Sequence, residues 1–336
     1  MRPKFATYLA SSVLLLVALA PGAAAQEVTT ELYGEFRYSY NHADAGDSTH
    51  WAAANNASRL GVRSEVAVGQ IAAFADLQTG VTIDAEGGGT AFSQRYYLAG
   101  VRGPFGTVTL GRHSPAYKAV GLRLDPFYDT STLGSTGGVP QSGLFAGASF
   151  GLSSLTNGWA DRAIAYTSPS LHGLSVNAAA YLDRDSDHDA AFGLTYRARG
   201  FEAGAQFHDS GSGESWIPSG GIDDAARVHL SYTSPEAWSL GASFERVDAA
   251  LEDTQDFLYV AGTAHLDPRL MLAASVGRVA SGPWQTLTGT GWHVGAFYDL
   301  LPQTGVHLLY SRIDVDDSPS RGNLALGFTH RFSIAR

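Results

Sequence analysis

Over residues 58–68 the chain alternates: Leu60, Val62, Val66 and Val68 lie on one face, and Arg59, Gly61, Arg63 and Glu65 on the other. A two-residue period places successive side chains on opposite faces of a strand. The same alternation recurs over residues 31–40, 190–197, 226–232, 291–299 and 324–332. The second face is the strongest constraint on the fold, because it carries arginine, glutamate and histidine in mid-strand. A sandwich interior would bury those charges at several kcal/mol each unless they were paired. A sandwich that turned them to water would need bulky inner faces, yet here the apolar face is often thin, as at Ala178, Ala180, Ala203 and Ala205. A closed sheet with lipid outside and water inside satisfies both faces.

No stretch beyond the N-terminus is long and apolar enough for a transmembrane helix, which needs about 20 such residues. A barrel escapes that test because only alternate residues meet lipid. Residues 1–25 read as an export signal. Arg2 and Lys4 form the positive end, Leu9 to Ala20 the apolar core, and Ala23-Ala24-Ala25 an A-x-A cleavage site before Gln26. Without Arg2 and Lys4 the chain holds 20 basic residues against 32 acidic ones, a net charge of −12. That sign argues against nucleic-acid binding, and taken alone it points to weak cation preference in a channel. The chain has no cysteine, which excludes disulfides and thiolate chemistry.

The connections alternate in length. Tight links with Pro or Gly lie at 68–70, 103–106, 168–170, 199–200, 234–236, 267–269 and 301–303. Between them run longer polar segments at 41–57, 81–91, 113–159, 183–189, 209–223, 248–254, 281–288 and 314–321. Short turns at one rim and long loops at the other are the outer-membrane barrel pattern, and the tally gives about 16 strands. The expected fold is therefore an all-β transmembrane antiparallel barrel formed by residues 26–336.

Specific motifs sharpen this. Ser58-Arg59-Leu60-Gly61-Val62-Arg63, Ser93-Gln94-Arg95-Tyr96-Tyr97-Leu98-Ala99-Gly100-Val101, Gly106-Thr107-Val108-Thr109-Leu110-Gly111-Arg112 and the closing Gly327-Phe328-Thr329-His330-Arg331-Phe332 resemble strands of the Gram-negative general diffusion porins. Leu32-Tyr33-Gly34 and Tyr166-Thr167-Ser168-Pro169 resemble others. Two features depart from that family. Ser333-Ile334-Ala335-Arg336 follows Phe332, where the family ends on an aromatic residue. The third loop reads Asp125-Pro126-Phe127-Tyr128-Asp129 in place of a Pro-Glu-Phe-Gly-Gly run.

The resemblance implies an outer-membrane homotrimer in contact with lipid and lipopolysaccharide, passing small hydrophilic solutes and ions. It also implies that the third loop, residues 113–158, folds into the lumen as a constriction loop. Arg59, Arg63 and Arg95 are the candidates for its basic side, with Arg162 joining them or sitting at the rim. Asp125 and Asp129 are the candidates for its acidic side. Lys118 and Arg123 lie in the same loop and reshape the field. Arg112 shares parity with Val108 and Leu110, which places it on the outer wall at a subunit contact. Trp159, Trp238, Trp284 and Trp292 fit interfacial girdles.

A substrate-specific channel is the alternative, which Tyr33, Tyr97 and Phe297 on inward faces leave open. A plugged structural barrel is another. A barrel enzyme would need a rim triad, which His229, Ser231, His293 and Asp299 do not make. No metal or cofactor is expected. The alternating Asp183, Asp185, Asp187 and Asp189 lack the Gly and Glu of a calcium loop, His188 and Leu194 standing in their places, and the histidines show no zinc spacing.

Overall fold

The computed structural model describes residues 26–44, 48–82, 92–130, 150–153, 156–182, 189–209, 222–249, 253–280, 288–317 and 319–335. Residues 1–25, read from the sequence as an export signal, residues 131–149 of the third loop, Asp183, Asp185, Asp187 and Trp284 lie outside them.

The elements run β1 (Gln26–Asp44), β2 (Thr49–Asn55), β3 (Arg59–Val68), β4 (Ile71–Val81), β5 (Phe92–Gly103), β6 (Gly106–His113), the helix α1 (Ala116–Leu124), β7 (Ala160–Thr167), β8 (Leu174–Tyr181), β9 (Asp189–Ala198), β10 (Phe201–Asp209), β11 (Ile222–Thr233), β12 (Trp238–Ala249), β13 (Asp253–His265), β14 (Leu270–Ala280), β15 (Gly289–Leu301), β16 (Thr304–Val315) and β17 (Arg321–Ala335). All the strands belong to one antiparallel sheet, which closes when β17 pairs with β1 from Glu31↔Ala335 to Asp44↔Gly322.

β2 and β3 both pair with β1, His42 facing Trp51 and Glu31 facing Arg63. They are two halves of one barrel strand, which gives sixteen strands around the barrel. The break at residues 56–58 turns on Ala57, with φ 58°. It strands no backbone group of Arg37: the Asn56 N–H donates to the Arg37 carbonyl at 3.0 Å, and the Arg37 N–H donates to Ser58 Oγ at 2.9 Å. The first connection is accordingly far shorter than the polar segment 41–57, because polar and small residues there continue the ladder as a hairpin.

At the opposite rim the turns are tight. Arg199 and Gly200 take φ of 48° and 86° between the paired Ala198 and Phe201. Two positive φ values make the mirror-image two-residue turn whose twist matches the strands it joins, and glycine takes the second without strain.

Burial is inverted relative to a water-soluble sheet. Gln206, Arg227, His229, Glu245, His293, Ser311 and Asn323 are buried, whereas Val228, Leu230, Leu240, Leu308 and Leu326 are exposed. A water-soluble surface does not carry so continuous an apolar band. Aromatic groups edge it at both rims: Phe201, Tyr232 and Trp238 by the short turns, Tyr40 stacked on Trp51 near the loops. β17 runs past Phe332, pairing Ile334 with Leu32 and leaving Ile334 exposed on the apolar face.

Candidate functional site

The described part of the third loop lies inside the barrel, held strand by strand. Tyr117 of α1 donates its hydroxyl to Glu245 of β12 at 3.0 Å, and Arg227 of β11 donates to the Tyr117 carbonyl at 2.9 Å. Arg227 and Glu245 themselves pair at 2.6 Å, 3% and 1% exposed. Tyr259 of β13 donates to Asp125 at 2.8 Å, and the Phe127 N–H donates to the same carboxylate at 2.9 Å. Phe127 packs with Ala273, Leu309 and Ala325, and His307 of β16 bonds the Thr130 carbonyl at 2.7 Å.

Phe150 rests on two inward glycines. A Cβ on Gly277 would run into the Phe150 carbonyl oxygen, and one on Gly291 would come within 2.7 Å of Phe150 Cβ. These glycines are bare so that the loop backbone can approach the wall.

Across the lumen stands a wall of arginines. Glu35 of β1 faces Arg59 of β3 on one side and Arg331 of β17 on the other, with Arg37 two residues along. It pairs with Arg37 at 2.7 Å, with Arg331 at 2.8 Å, and with Arg59. The loop reaches this wall through Asp129, whose Oδ2 lies 3.5 Å from Arg59 and 3.8 Å from Arg37. Arg37 also donates to the Tyr128 carbonyl at 3.2 Å. Burial pushes the Asp129 carboxyl above the ordinary carboxylate range, against the opposing pull of Arg37, Arg59, Arg95 and Lys118.

A polar chain extends the wall. Arg63 donates to Asp76 at 2.9 Å, Tyr33 donates to Asp76 at 2.5 Å, Gln78 to the Tyr33 hydroxyl at 3.2 Å, and Arg95 to Gln78 at 2.7 Å. It ends at Trp159, whose ring is approached by Arg95 at 4.9 Å, by Lys118 at 4.3 Å and by Arg112 at 5.8 Å from the centroid. Arg112 also pairs with Asp161 at 2.6 Å. Burial, then the nearby Arg95, pushes the Lys118 ammonium down to about 7.

A closed barrel with an apolar exterior, a charged interior and a loop folded into it is an outer-membrane channel architecture. The sequence profile of the Gram-negative porins matches residues 10–318. The chain belongs to the Gram-negative porins. It forms an outer-membrane channel for passive diffusion. Solved porins share the fold: the anion-selective porin from Comamonas acidovorans (14% identity, TM-score 0.72, 91% of this chain and 100% of that one). So do OmpT of Vibrio cholerae lacking loop L8 (17%, 0.67, 92% and 100%) and Salmonella typhi OmpF (13%, 0.64, 91% and 97%). No curated protein matches.

Against this porin's geometry the sequence expectations divide. Arg59 and Asp129 come together, in direct contact rather than across a water-filled gap. Arg63 lies on the same wall, half-exposed and occupied by Asp76. Arg95 reaches the lumen through a bulge: Gln78 pairs with Tyr96 and Thr79 with Gln94, leaving Arg95 as the extra residue. The bulge shifts the parity beyond it, so Tyr97 is exposed on the outer face and Tyr96 turns inward, edge-on to Trp159. Asp125 sits on the far wall with Tyr259, away from the arginines.

Arg162 is exposed at a second bulge, with φ 49°, opposite the irregular step from Gly111 to His113. That step, with Gly111 at φ 112°, also turns Arg112 from the outer wall into the lumen cluster. Trp159 is part of that cluster, not of a girdle. Arg37, Glu35 and Arg331 were missed as site residues, although each shares the polar face of its strand. Their signal was the density of charge on β1 and β17. The helical turn α1 left no periodic signal in nine residues.

Proposed function

We propose that this porin favours small hydrophilic anions. The observation that carries the reading is the charge balance at the loop contact. Arg37, Arg59, Arg63, Arg95, Arg112, Arg331 and Lys118 gather there with Glu35, Asp76, Asp129 and Asp161, seven basic side chains to four carboxylates among the described residues. The net negative charge of the chain lies elsewhere: Asp44, Asp209, Asp223, Asp224, Asp248, Asp314, Asp316 and Asp317 cluster at or near the strand ends of the long-loop rim. Charges inside a narrow lumen with low-dielectric walls set the field that a solute crosses, while rim charges face screened solvent. The preference expected from total charge is therefore reversed.

In this reading residues 1–25 are the export signal, 26–336 the barrel and 113–158 the constriction loop. The channel works without covalent chemistry. Three copies assemble in the outer membrane, in contact with its lipid and with lipopolysaccharide, in keeping with the porin family. Reversal potential in a planar bilayer under a potassium chloride gradient tests the preference. Anion preference supports it, and a cation-selective current overturns it.

A further inference from the structure

Lys118 is the single lysine of the chain beyond Lys4. It is 4% exposed, and among the described residues no carboxylate lies within ion-pair distance of its ammonium. It occupies the first turn of α1, at the positive end of the helix dipole, in a helix with no acid in that turn and no side-chain cap. The other cations on the Trp159 ring leave it uncompensated. Arg95 is bonded to the neutral Gln78, and Arg112 is bonded to Asp161 through one terminal nitrogen only. Arg112 Nε and Ser114 Oγ, on the junction between β6 and α1, are buried with no hydrogen-bond partner among the described residues. Buried cations normally keep a counter-ion, and buried donors normally find an acceptor.

We propose that Lys118, Arg95 and Arg112, set around Trp159, form a saturable lumen site for a small oxyanion, a carboxylate or a phosphate. The proposal rests on the anion-preferring reading and adds a discrete binding step to it. An oxyanion supplies both what the cluster lacks in charge and the acceptor that Arg112 Nε lacks. Trp159 gives the cations a wall that does not compete for the anion.

The groups facing Lys118 are Arg95 from β5, Arg112 from β6, and Asp129 beyond the end of α1. The two guanidiniums keep their charge at every working pH, and Asp129, raised by burial, takes up its proton on acidification. The proton that matters above pH 7 is therefore the one on Lys118. A bound anion favours the ammonium, so binding above pH 7 takes up a proton, and affinity falls as pH rises. Below about pH 7 Lys118 is already charged and affinity levels off.

The test is direct binding of inorganic phosphate and of acetate to the folded full-length barrel in detergent, by calorimetry, at pH 6 and pH 9. Saturable binding of acetate, whose charge is the same at both pH values, about tenfold or more weaker at pH 9 is expected. Lys118→Gln abolishes it, and Lys118→Arg keeps it with the pH dependence removed; retention of the heat-modifiable form on gels shows that each variant is folded. Wild-type binding in folded Lys118→Gln, or the same affinity at both pH values, overturns the site, as does no binding by wild type. Phosphate binding without acetate binding selects phosphate as the class, and the converse selects carboxylates. These outcomes do not depend on ion current, so an anion-preferring channel with no site and a site in a cation-selective channel are separately recognisable.

Discussion

Asp129 Oδ2 faces the Arg59 guanidinium at 3.5 Å, yet that oxygen is buried and accepts no hydrogen bond among the described residues. The Asp129 carboxylate is thus held to the arginine wall by charge, while the loop backbone is held by the hydrogen bond from Arg37 to the Tyr128 carbonyl. Asp129→Asn should release two guanidiniums to the lumen and raise the anion-to-cation permeability ratio, whereas Arg59→Ala should lower it. A change of about 0.5–1 kcal/mol in the local field, the scale of a single partly solvated pair, is a two- to fivefold change in that ratio. Acid should mimic the first variant. The Asp129 carboxyl is raised above its ordinary value, so it neutralises earlier on acidification than an exposed aspartate. Anion preference should rise on acidification in wild type before exposed aspartates titrate, and stay flat over that interval in Asp129→Asn. Reversal potentials measured against pH check both statements, and a pair of variants that shift the same way would refute the contact's role.

The barrel was legible because lipid and water impose period two on long strands, and Val228, Leu230, Leu324 and Leu326 obey it without interruption. The arginine wall was half legible for the same reason, since Arg59 and Arg63 stay in parity along an unbroken β3. What failed, failed at bulges. One extra residue at Arg95 sent Tyr97 outward, and the step at Gly111 brought Arg112 inward. A bulge has no compositional marker that parity counting can see. The loop anchors were illegible because Tyr259, Glu245 and Gly277 are distant in sequence and meet the loop only after closure.

Arg227 and Glu245 form a fully buried pair whose carboxylate also receives Tyr117 and Thr156, the latter at 2.6 Å. Removing one partner leaves a charge with no water to solvate it. Glu245→Ala should cost about 3–5 kcal/mol, seen as a lower temperature for loss of the folded band on a heat-modifiability gel. Replacing both residues by apolar ones of similar volume should cost much less, because no orphaned charge remains. Equal losses from the single and the double variant would show that the pair holds α1 by shape alone.

Gly277 is bare where the Phe150 backbone crosses β14. Gly277→Ala places a methyl group against a carbonyl oxygen that has no side-chain rotation to escape by. The loop must lift, at the roughly 1–3 kcal/mol typical of overpacking. A loop pushed off β14 moves further into the lumen, so single-channel conductance should fall and added protease should cleave the loop faster. Gly305→Ala, whose new Cβ would meet nothing closer than 3.4 Å, should change neither. Unchanged conductance in Gly277→Ala would mean that the described loop residues do not set the bore.

Leu326 is 60% exposed on β17, between Leu308 of β16 and Tyr40 of β1. In water such a side chain is a liability, and in a bilayer it is the lipid-facing surface itself. Leu326→Arg should therefore cost about 2–4 kcal/mol in membranes if it lies near the midplane. The loss should show as reduced insertion into vesicles and a lower unfolding midpoint in urea. The adjacent Ala325 is buried against Leu309 on the lumen side, so Ala325→Ser should insert normally. The contrast between neighbours one residue apart tests the two-faced strand directly. Equal tolerance at both positions would place Leu326 in water and contradict the barrel's orientation to lipid.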